Sequence, residues 1–476
     1  MLFTSHTFLY AFLPIALAAY YASLPVSRTT WRSATSATLT ILSFVFYGWS
    51  RPDYCLLMLA SSLLDYLCGR GVARARASGF RGTSFLLASL AGNLGLLAYF
   101  KYSGLAAETW NAVVDAFGAP GLRTNFVAPM LPVGISFYTF QTLSYTIDVW
   151  RGVVAPAKSA WDFFAYVTMF PQLVAGPIVR YSDVADQLRE RRHTLDGFYR
   201  GVLRFQLGLA KKVLLADTLA PIADAAFAGG DAAPVALGFV DAWVGALAYA
   251  FQIYFDFSGY SDMAVGLGGM LGFRFPENFD GPYRATSITD FWRRWHVTLS
   301  TWLRDYLYVP LGGNRRGVSR TYVNLATTML LGGLWHGAKW TFVAWGAWQG
   351  FWLIVERVAA KRAFYARAPK ALQVAATFVL VVFGWVLFRS ETLGAAWNHA
   401  AAMLGLRGAG SPAFDVGAGP AVAFAVAALA AWFGPTSRRL VAENRTWAVL
   451  AAQVLFAWSL IHLHWRTTAP FLYFRF

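Results

Sequence analysis

Charged residues are scarce in this sequence. Lys, Arg, Asp and Glu make up 13% of the 476 residues, whereas 57% are hydrophobic and 17% are aromatic. Soluble domains are about one quarter charged. Acidic residues number 24 against 40 basic ones, a formal net charge of +16. Because the basic residues stand in short clusters between apolar runs, this excess favours anionic lipid headgroups as partners over nucleic acid. The composition indicates one large membrane body.

Cysteine and the usual nucleophile motifs are also nearly absent. Cys55 and Cys68 both lie in or beside an apolar segment, without metal-ligand spacing to other side chains, so we expect neither a disulfide framework nor a metal site. No Gly-x-Ser-x-Gly elbow surrounds a serine, and no Ser, Cys or Lys has an evident base beside it. This pattern disfavours a covalent nucleophile of the hydrolase type.

Apolar segments recur along the chain at the length that a membrane helix requires, which is about 20 residues. Candidates fall at 6–24, 35–50, 54–68, 83–100, 128–149, 236–256, 258–272, 321–337, 340–356, 371–388, 419–434 and 446–463. No basic residue precedes the first of them, so we interpret it as a retained span. The stretch 161–179 contains Pro171, Gly176 and Pro177 and is predicted to be re-entrant.

These patterns predict an all-α polytopic membrane protein with about 11 transmembrane helices, together with re-entrant and interfacial helices. We expect one integral-membrane domain over 1–476, with its distinctive core at about 128–358. No internal repeat is evident, which weakens a transporter interpretation based on inverted repeats.

Basic residues follow alternate spans. Because Lys and Arg are enriched in cytoplasmic loops, this alternation predicts that both termini face outward. The clusters are Arg28 and Arg32; Arg70, Arg74, Arg76 and Arg81; the segment 189–212; Arg315, Arg316 and Arg320; Arg357, Lys361 and Arg362; and Arg438 and Arg439.

The segment LLGGLWHGAKW places His336 at the end of an apolar stretch, between Gly333 and Gly337. The two glycines leave room for another backbone or for a ligand. An imidazole with a pKa near 6.5 can accept a proton from a hydroxyl and return it to a leaving group. The sequence therefore offers His336 as a catalytic base, with a buried, hydrogen-bonded structural histidine as the alternative.

A second polar segment, SITDFWRRWHVTLSTWLRDYLYVPLGGN, begins with Ser287 and Asp290 at capping-box spacing, which predicts that a helix starts there. A continuous helix would place Trp292, His296, Ser300, Leu303 and Leu307 on one face. Arg293, Arg294 and Arg304 would lie mostly on the other, where they could meet lipid headgroups or the phosphates of an acyl donor. His296 could be structural or could take part in proton transfer.

Further polar residues occur within apolar runs before this segment. We expect Glu277 and Asp280 to pair with Arg274 and Arg284, and we expect a functional or helix-packing role for Asp256 and Asp262. Gln141 and Gln172 are the residues most suited to face a polar channel. Asn278, Tyr260 and Trp335 complete the set of candidate donor-binding residues.

Two stretches, PENFDGPYRATSITDFWRRWHVTLSTWLRDYLYVPLGG and LLGGLWHGAKWTFVAWGAWQG, resemble the signature of membrane-bound O-acyltransferases. The resemblance extends over nearly the whole chain, including LPVGISFYTFQTLSYTIDVWRG and FPQLVAGPIVR. It is nearest to bacterial members that serve alginate O-acetylation and to relatives acting on cellulose, peptidoglycan or teichoic acid.

This resemblance implies a helical body with a central funnel, His336 as the catalytic residue and His296 nearby. It implies acetyl-coenzyme A as a cytoplasmic donor substrate, with no bound cofactor. It further implies a bacterial inner-membrane location, a periplasmic partner of the SGNH-hydrolase type and an exported polysaccharide as the final acceptor. A polysaccharide or lipid-carrier flippase without acyl chemistry is the alternative from another class, and a scaffold within a secretion complex is a third.

Overall fold

The computed structural model describes residues 1–29, 33–228, 237–359, 367–407, 416–465 and 471–472. Among these residues the regular elements are all helical and no β-strand occurs, which confirms the all-α prediction. Arg32, Lys361 and Arg362, which the sequence places in cytoplasmic loops, lie outside the described residues.

The helices are α1 Leu13–Thr29, α2 Ala34–Gly48, α3 Asp53–Ala77, α4 Thr83–Leu97, α5 Ser103–Ala116, α6 Ile135–Arg151, α7 Ala160–Thr168, α8 Phe170–Leu173, α9 Tyr181–Arg189, α10 Leu195–Ala210, α11 Asp217–Ala226, α12 Phe239–Met270, α13 Ile288–Trp292, α14 Val297–Leu303, α15 Val318–His336, α16 Trp340–Ala359, α17 Lys370–Arg389, α18 Leu393–Met403, α19 Ala418–Trp432, α20 Ser437–Glu443 and α21 Thr446–Trp465.

Five helical stretches in the described part of the chain are long and apolar enough to cross a membrane, and a sixth is possible if α19 and α20, bent by 70°, form one broken span. The five are Thr7–Ser27, Asp53–Ala77, Thr83–Ala116, Lys370–Arg389 and Thr446–Trp465. The multi-pass membrane character is confirmed, while the count of about 11 is not. The prediction of two separate spans at 236–256 and 258–272 is wrong, because these residues form the single 32-residue helix α12.

The described residues form two compact units, the first comprising Met1–Val202 and Ala264–Pro276. Within it, α3, α4 and α6 pack around the buried carboxylate of Asp65. Ser89 Oγ donates to Asp65 at 2.5 Å, Asn93 Nδ2 at 2.8 Å and Thr146 Oγ1 at 3.4 Å. Interhelical hydrogen bonds of this kind hold membrane helices together where apolar contact alone gives little preference. The same unit contains the 161–179 stretch, which folds as the short helices α7 and α8 followed by irregular backbone.

The second unit comprises Leu203–Met263 and Glu277–Phe476. Its α15 and α16 form a hairpin joined by residues 337–339. A Cβ added to Gly333 would fall well inside contact distance of the Phe342 carbonyl oxygen, and one added to Gly346 would collide with that of Met329. The two backbones therefore touch directly, as small residues at membrane helix interfaces allow.

A second close backbone approach lies between α10 and α12. An ideal Cβ on Gly208 would be 2.5 Å from the Gly259 carbonyl oxygen, so neither position has space for a side chain. Buried ion pairs flank this crossing. Arg204 binds Asp262 at 2.7 Å, and Lys212 binds Asp256 at 2.7 Å. Asp256 and Asp262 thus have the helix-packing role that was one of the two expected for them.

The remaining acidic pairing was predicted wrongly. Glu277 binds Arg204 at 2.5 Å instead of the nearby Arg274. Arg284 donates from Nε to the carbonyl of Ala431 at 3.0 Å and also binds the carbonyl of Gly434, so it covers the end of α19 and pairs with neither predicted acid. The prediction used neighbours in sequence, whereas Arg204 lies 73 residues before Glu277.

The α15–α16 contact yields a stability prediction. Gly346→Ala should lower the free energy of unfolding by roughly 1–3 kcal/mol, because the added methyl group must push the two backbones apart. Thermal unfolding of the purified protein in detergent measures this. Gly95→Ala is the matched control, since nothing lies within 4 Å of a Cβ at that α4 position. A melting temperature for Gly346→Ala equal to that of Gly95→Ala would contradict the proposed close contact.

Candidate active site

His336 is the last residue of α15 and is 4% exposed. Three aromatic rings meet it edge to face. The centroids of Trp335 and Trp345 are each 5.0 Å from that of His336, and the centroid of Phe388 on α17 is 5.3 Å away. The room left by Gly333 is filled by the backbone of α16, which is one of the two outcomes expected for the glycines. His336 thus lies in an aromatic enclosure formed by α15, α16 and α17.

His296 lies where the predicted continuous helix is interrupted. α13 ends at Trp292 and α14 begins at Val297, so the predicted common face running from Trp292 to Leu307 is wrong. His296 itself has φ 42° and ψ 53°, the left-handed conformation. A non-glycine residue there costs about 1–2 kcal/mol and often marks a functional site. The predicted start is confirmed, since the Ser287 hydroxyl accepts from the Asp290 backbone N–H at 2.9 Å.

The segment before α13 holds this interruption in place. The backbone N–H of Asp280 donates to the carbonyl of Arg294, and that of Val297 donates to the carbonyl of Asn278, each at 3.0 Å. These two bonds satisfy backbone groups that a continuous helix would have paired internally. They also bring the side chain of Asn278 directly against His296.

The Asn278 amide fixes the orientation of the His296 ring. Its Nδ2 donates to Ser261 Oγ at 3.1 Å, and its Oδ1 accepts from Thr298 Oγ1 at 2.9 Å. The same Oδ1 lies 3.0 Å from His296 Nδ1. Because an amide oxygen only accepts, His296 Nδ1 carries the proton and Nε2 is the basic nitrogen of the neutral ring. Asn278 therefore selects the tautomer as well as the ring position.

The two histidines are close neighbours. Their ring centroids are 6.4 Å apart, and that of Trp335 is 6.0 Å from that of His296. His296 is fully buried, and burial lowers its pKa to about 3, so the ring is neutral at physiological pH. Phe257 closes the other side, with its ring centroid 4.7 Å from that of His296.

Tyr260 lies one layer further out. It stacks on Phe471 with ring centroids 4.6 Å apart, and Phe471 in turn packs on Phe257. The structure therefore groups four of the predicted candidates around the two imidazoles: His336, His296, Trp335 and Asn278. Tyr260 lies behind them.

The three candidate arginines differ in their availability. Arg293 is exposed. Arg294 binds Asp290 at 2.9 Å, and Arg304 binds Asp305 at 2.7 Å. Two of the three thus have carboxylate partners of their own, which compensate much of the charge that a phosphate would use.

Gln172 belongs to the first unit and is fully buried there. Its Nε2 donates to the Tyr166 carbonyl at 2.6 Å, while its Oε1 has no hydrogen-bond partner among the described residues. Both amide atoms of the buried Gln141 likewise lack a partner within that set. Unpaired buried amides are rare, so these two positions retain the polar-channel interpretation as a prediction.

Sequence reasoning missed two residues of the enclosure, Phe388 and Trp345, and also Gln349, one turn after Trp345 on α16. Phe388 is 52 positions from His336 and carries no local signal. Trp345 and Gln349 could have been found, because WTFVAWGAWQG puts them four residues apart on the helix that follows His336 at once. Gln349 Oε1 accepts from Trp292 Nε1 at 3.3 Å, which links α16 to α13.

The arrangement suits proton transfer in a site that excludes water. The buried imidazole of His336 can accept a proton from a hydroxyl. The neutral imidazole of His296 and the surrounding indole rings can protect a reactive acyl group from hydrolysis. Within the described residues, no group of three or more His, Cys, Asp or Glu side chains has metal-binding geometry.

Comparisons with known proteins agree with this chemistry. The model of the membrane-bound O-acyltransferase family matches residues 131–392. The chain is 48% identical over 406 residues to a probable alginate O-acetylase AlgI of Azotobacter vinelandii, covering 85% of this chain and 78% of the relative. It is 47% identical to the Pseudomonas aeruginosa protein of the same description, covering 85% of this chain and 75% of the relative. A peptidoglycan O-acetyltransferase of Helicobacter pylori is 34% identical, covering 86% and 80% of the two chains. The chain therefore belongs to the membrane-bound O-acyltransferase family and is an acyltransferase.

Proposed function

We propose that this acyltransferase moves an acetyl group from cytoplasmic acetyl-coenzyme A into the O-acetylation of an exported polysaccharide such as alginate. The similarity to proteins described as alginate O-acetylases supports the polymer, and the enclosed pair His336 and His296 supports the chemistry. A periplasmic partner of the SGNH-hydrolase type would complete transfer to the polymer. The contact of His336 with three buried aromatic rings is the observation that carries the proposal.

His336 acts as the general base in this mechanism. It takes the proton of an incoming hydroxyl as the oxygen attacks the acetyl carbonyl, then returns it to the departing thiolate. A brief acetyl-histidine is the other route to the same products. Holding donor and acceptor in line supplies much of the acceleration, since orientation is worth up to about 7–11 kcal/mol in favourable reactions.

His296 and Asn278 act as positioning residues for His336. A neutral His296, held by Asn278, adds a polar wall beside His336 without adding a charge that would change its basicity. Trp335 shields the space between the imidazoles. Tyr260 supports this wall from behind through Phe471.

The donor is proposed to approach from the cytoplasmic side. Arg293 is the exposed arginine nearest in sequence to His296 and is the best placed to meet a phosphate, with Arg294 and Arg304 contributing after exchange of their carboxylate partners.

The protein is proposed to reside in the bacterial inner membrane with both termini in the periplasm. The basic clusters after the first and third predicted spans support an outward amino terminus. Because 236–256 and 258–272 form the single helix α12, the later clusters no longer follow alternate spans. Arg204 and Lys212 in the segment 189–212 are not evidence for orientation, because both are buried in ion pairs and cannot meet lipid headgroups.

His336→Ala should abolish transfer of labelled acetyl from acetyl-coenzyme A in membrane vesicles, with a loss of at least about 10²-fold, the usual scale for a general base. His399→Ala is the matched control. His399 is also 4% exposed, but it stacks on Phe227 at 4.3 Å and binds the Ala242 carbonyl, away from the aromatic enclosure. Activity is expressed per amount of folded protein recovered from the vesicles.

Comparing the wild type with His336→Ala and His399→Ala distinguishes an acyltransferase from a transporter or a scaffold. Label that reaches a polymer or partner protein with the wild type and with His399→Ala, and not with His336→Ala, supports the proposal. Equal labelling in all three proteins would refute it and would favour a transporter or a scaffold.

Asn278→Ala should reduce transfer to about the level of His296→Ala, because without the amide the ring loses both its tautomer preference and its orientation. The double variant should be no worse than the poorer single variant, since both changes remove one interaction. Initial rates in the same vesicle assay provide the double-mutant cycle. Strictly additive losses, measured on proteins of equal thermal stability, would show that the two side chains act independently.

A further inference from the structure

One face of α16 carries three polar side chains at four-residue spacing: Thr341, Trp345 and Gln349. Each is 1% exposed. Within the described residues, Thr341 Oγ1, Trp345 Nε1 and Gln349 Nε2 have no hydrogen-bond partner. Burying a polar group without a partner costs free energy, and native proteins seldom leave several such groups in a row. The row therefore points to a ligand that supplies the missing acceptors.

The Gln349 amide has a defined orientation. Its Oε1 accepts from Trp292 Nε1 at 3.3 Å, and exchanging the amide oxygen and nitrogen would bring two donors together. The unpaired atom is therefore the N–H₂ group. Trp345 also offers only an N–H. Two of the three unsatisfied groups are thus obligate donors, which require an acceptor oxygen.

The backbone of α17 packs closely against both Trp345 and Gln349 at Gly384. An ideal Cβ at Gly384 would lie 2.8 Å from Gln349 Nε2, 3.3 Å from Trp348 Cδ1 and 3.6 Å from Trp345 Cδ1, the ring atom bonded to Nε1. Any larger residue at 384 would cover these edges. The glycine therefore leaves the neighbouring edges of Trp345 and Gln349 uncovered by a side chain from α17.

Trp345 is also one of the rings that meet His336, with centroids 5.0 Å apart and planes at 85°. We infer that Trp345 Nε1–H and Gln349 Nε2–H form an oxyanion hole for the acyl group that His336 helps to transfer. The class of ligand is a thioester carbonyl, whose oxygen gains negative charge in the transition state. Two preorganised donors in a dry site are a strong way to stabilise such a charge.

The acceptor hydroxyl oxygen forms a bond to the carbonyl carbon while its proton moves to His336, and the carbonyl π electrons move onto oxygen. That oxyanion accepts from Trp345 and Gln349. As the carbonyl re-forms, the carbon–sulfur bond breaks and the thiolate takes the proton from His336. Thr341, one turn before Trp345, is left out of this step because its hydroxyl can rotate to donate or to accept and so does not require an acceptor oxygen.

The inference rests on the proposed function, and two substitutions test it. Trp345→Phe keeps an aromatic ring and removes the N–H. Gln349→Glu keeps an oxygen for Trp292 and replaces the donor by an acceptor. Each should lower kcat for transfer of labelled acetyl in vesicles by about 10- to 1,000-fold, while KM for acetyl-coenzyme A changes by less than about 2-fold, because the contacts form mainly in the transition state.

Trp348→Phe is the control, since it makes the same change on the same helix at an indole whose N–H already donates to the Leu380 carbonyl at 2.9 Å. It should retain the wild-type kcat. All variants are compared at equal thermal stability, and Gln349→Glu decides the matter if Trp345→Phe fails to fold.

Failure of the proposed oxyanion hole can be distinguished from failure of the proposed function. If His336→Ala is inactive while Trp345→Phe and Gln349→Glu retain the wild-type kcat, or change KM alone, the oxyanion hole is wrong and the acetyltransferase stands. An active His336→Ala overturns both. A kcat loss in Trp345→Phe and Gln349→Glu that Trp348→Phe does not share supports the inference.

Discussion

The guanidinium of Arg204, buried between the carboxylates of Asp262 and Glu277, is the interaction on which the candidate site depends. It ties α10 to α12 and to the segment that follows α12. Asn278 is the next residue after Glu277, so the position of the amide that orients His296 follows from this ion pair. Removing three charges from water is costly, and a hydrophobic contact would hold the helices equally well. The value of the pair is that it specifies one arrangement.

The interrupted helix at 293–296 shows how such specificity is used. A continuous helix would have carried His296 on a regular face, with its ring direction set by helix geometry. The left-handed backbone turns the residue inward at a cost of about 1–2 kcal/mol, and the hydrogen bonds from Asp280 and Val297 compensate for the lost helical pairing. Strain at a single residue is tolerable because the surrounding backbone leaves it no alternative.

Much of this arrangement follows from the sequence, and the remainder depends on distant contacts. His336 stood out because a histidine at the end of an apolar run is costly without a use, and Ser287 marked a helix start through local spacing. The interruption at His296 has no local signal, since no Gly or Pro lies between 287 and 307. The partner of Glu277 was equally hidden, because Arg204 is distant in sequence. Periodicity in the sequence predicts which face of a helix is buried, but it does not predict which other helix packs against that face.

The direct backbone contact between α15 and α16 limits how the enzyme can admit its substrates. Packed interfaces of this kind have few intermediate positions, so small sliding motions along the hairpin are disfavoured. With three residues in the connection and no side chain at Gly333 or Gly346 to rearrange, the histidine at its tip behaves as a fixed point of the enzyme. Entry and release of donor and acceptor then depend on elements outside this hairpin, so traffic through the protein and the chemistry proposed for His336 are separable properties, open to independent adjustment.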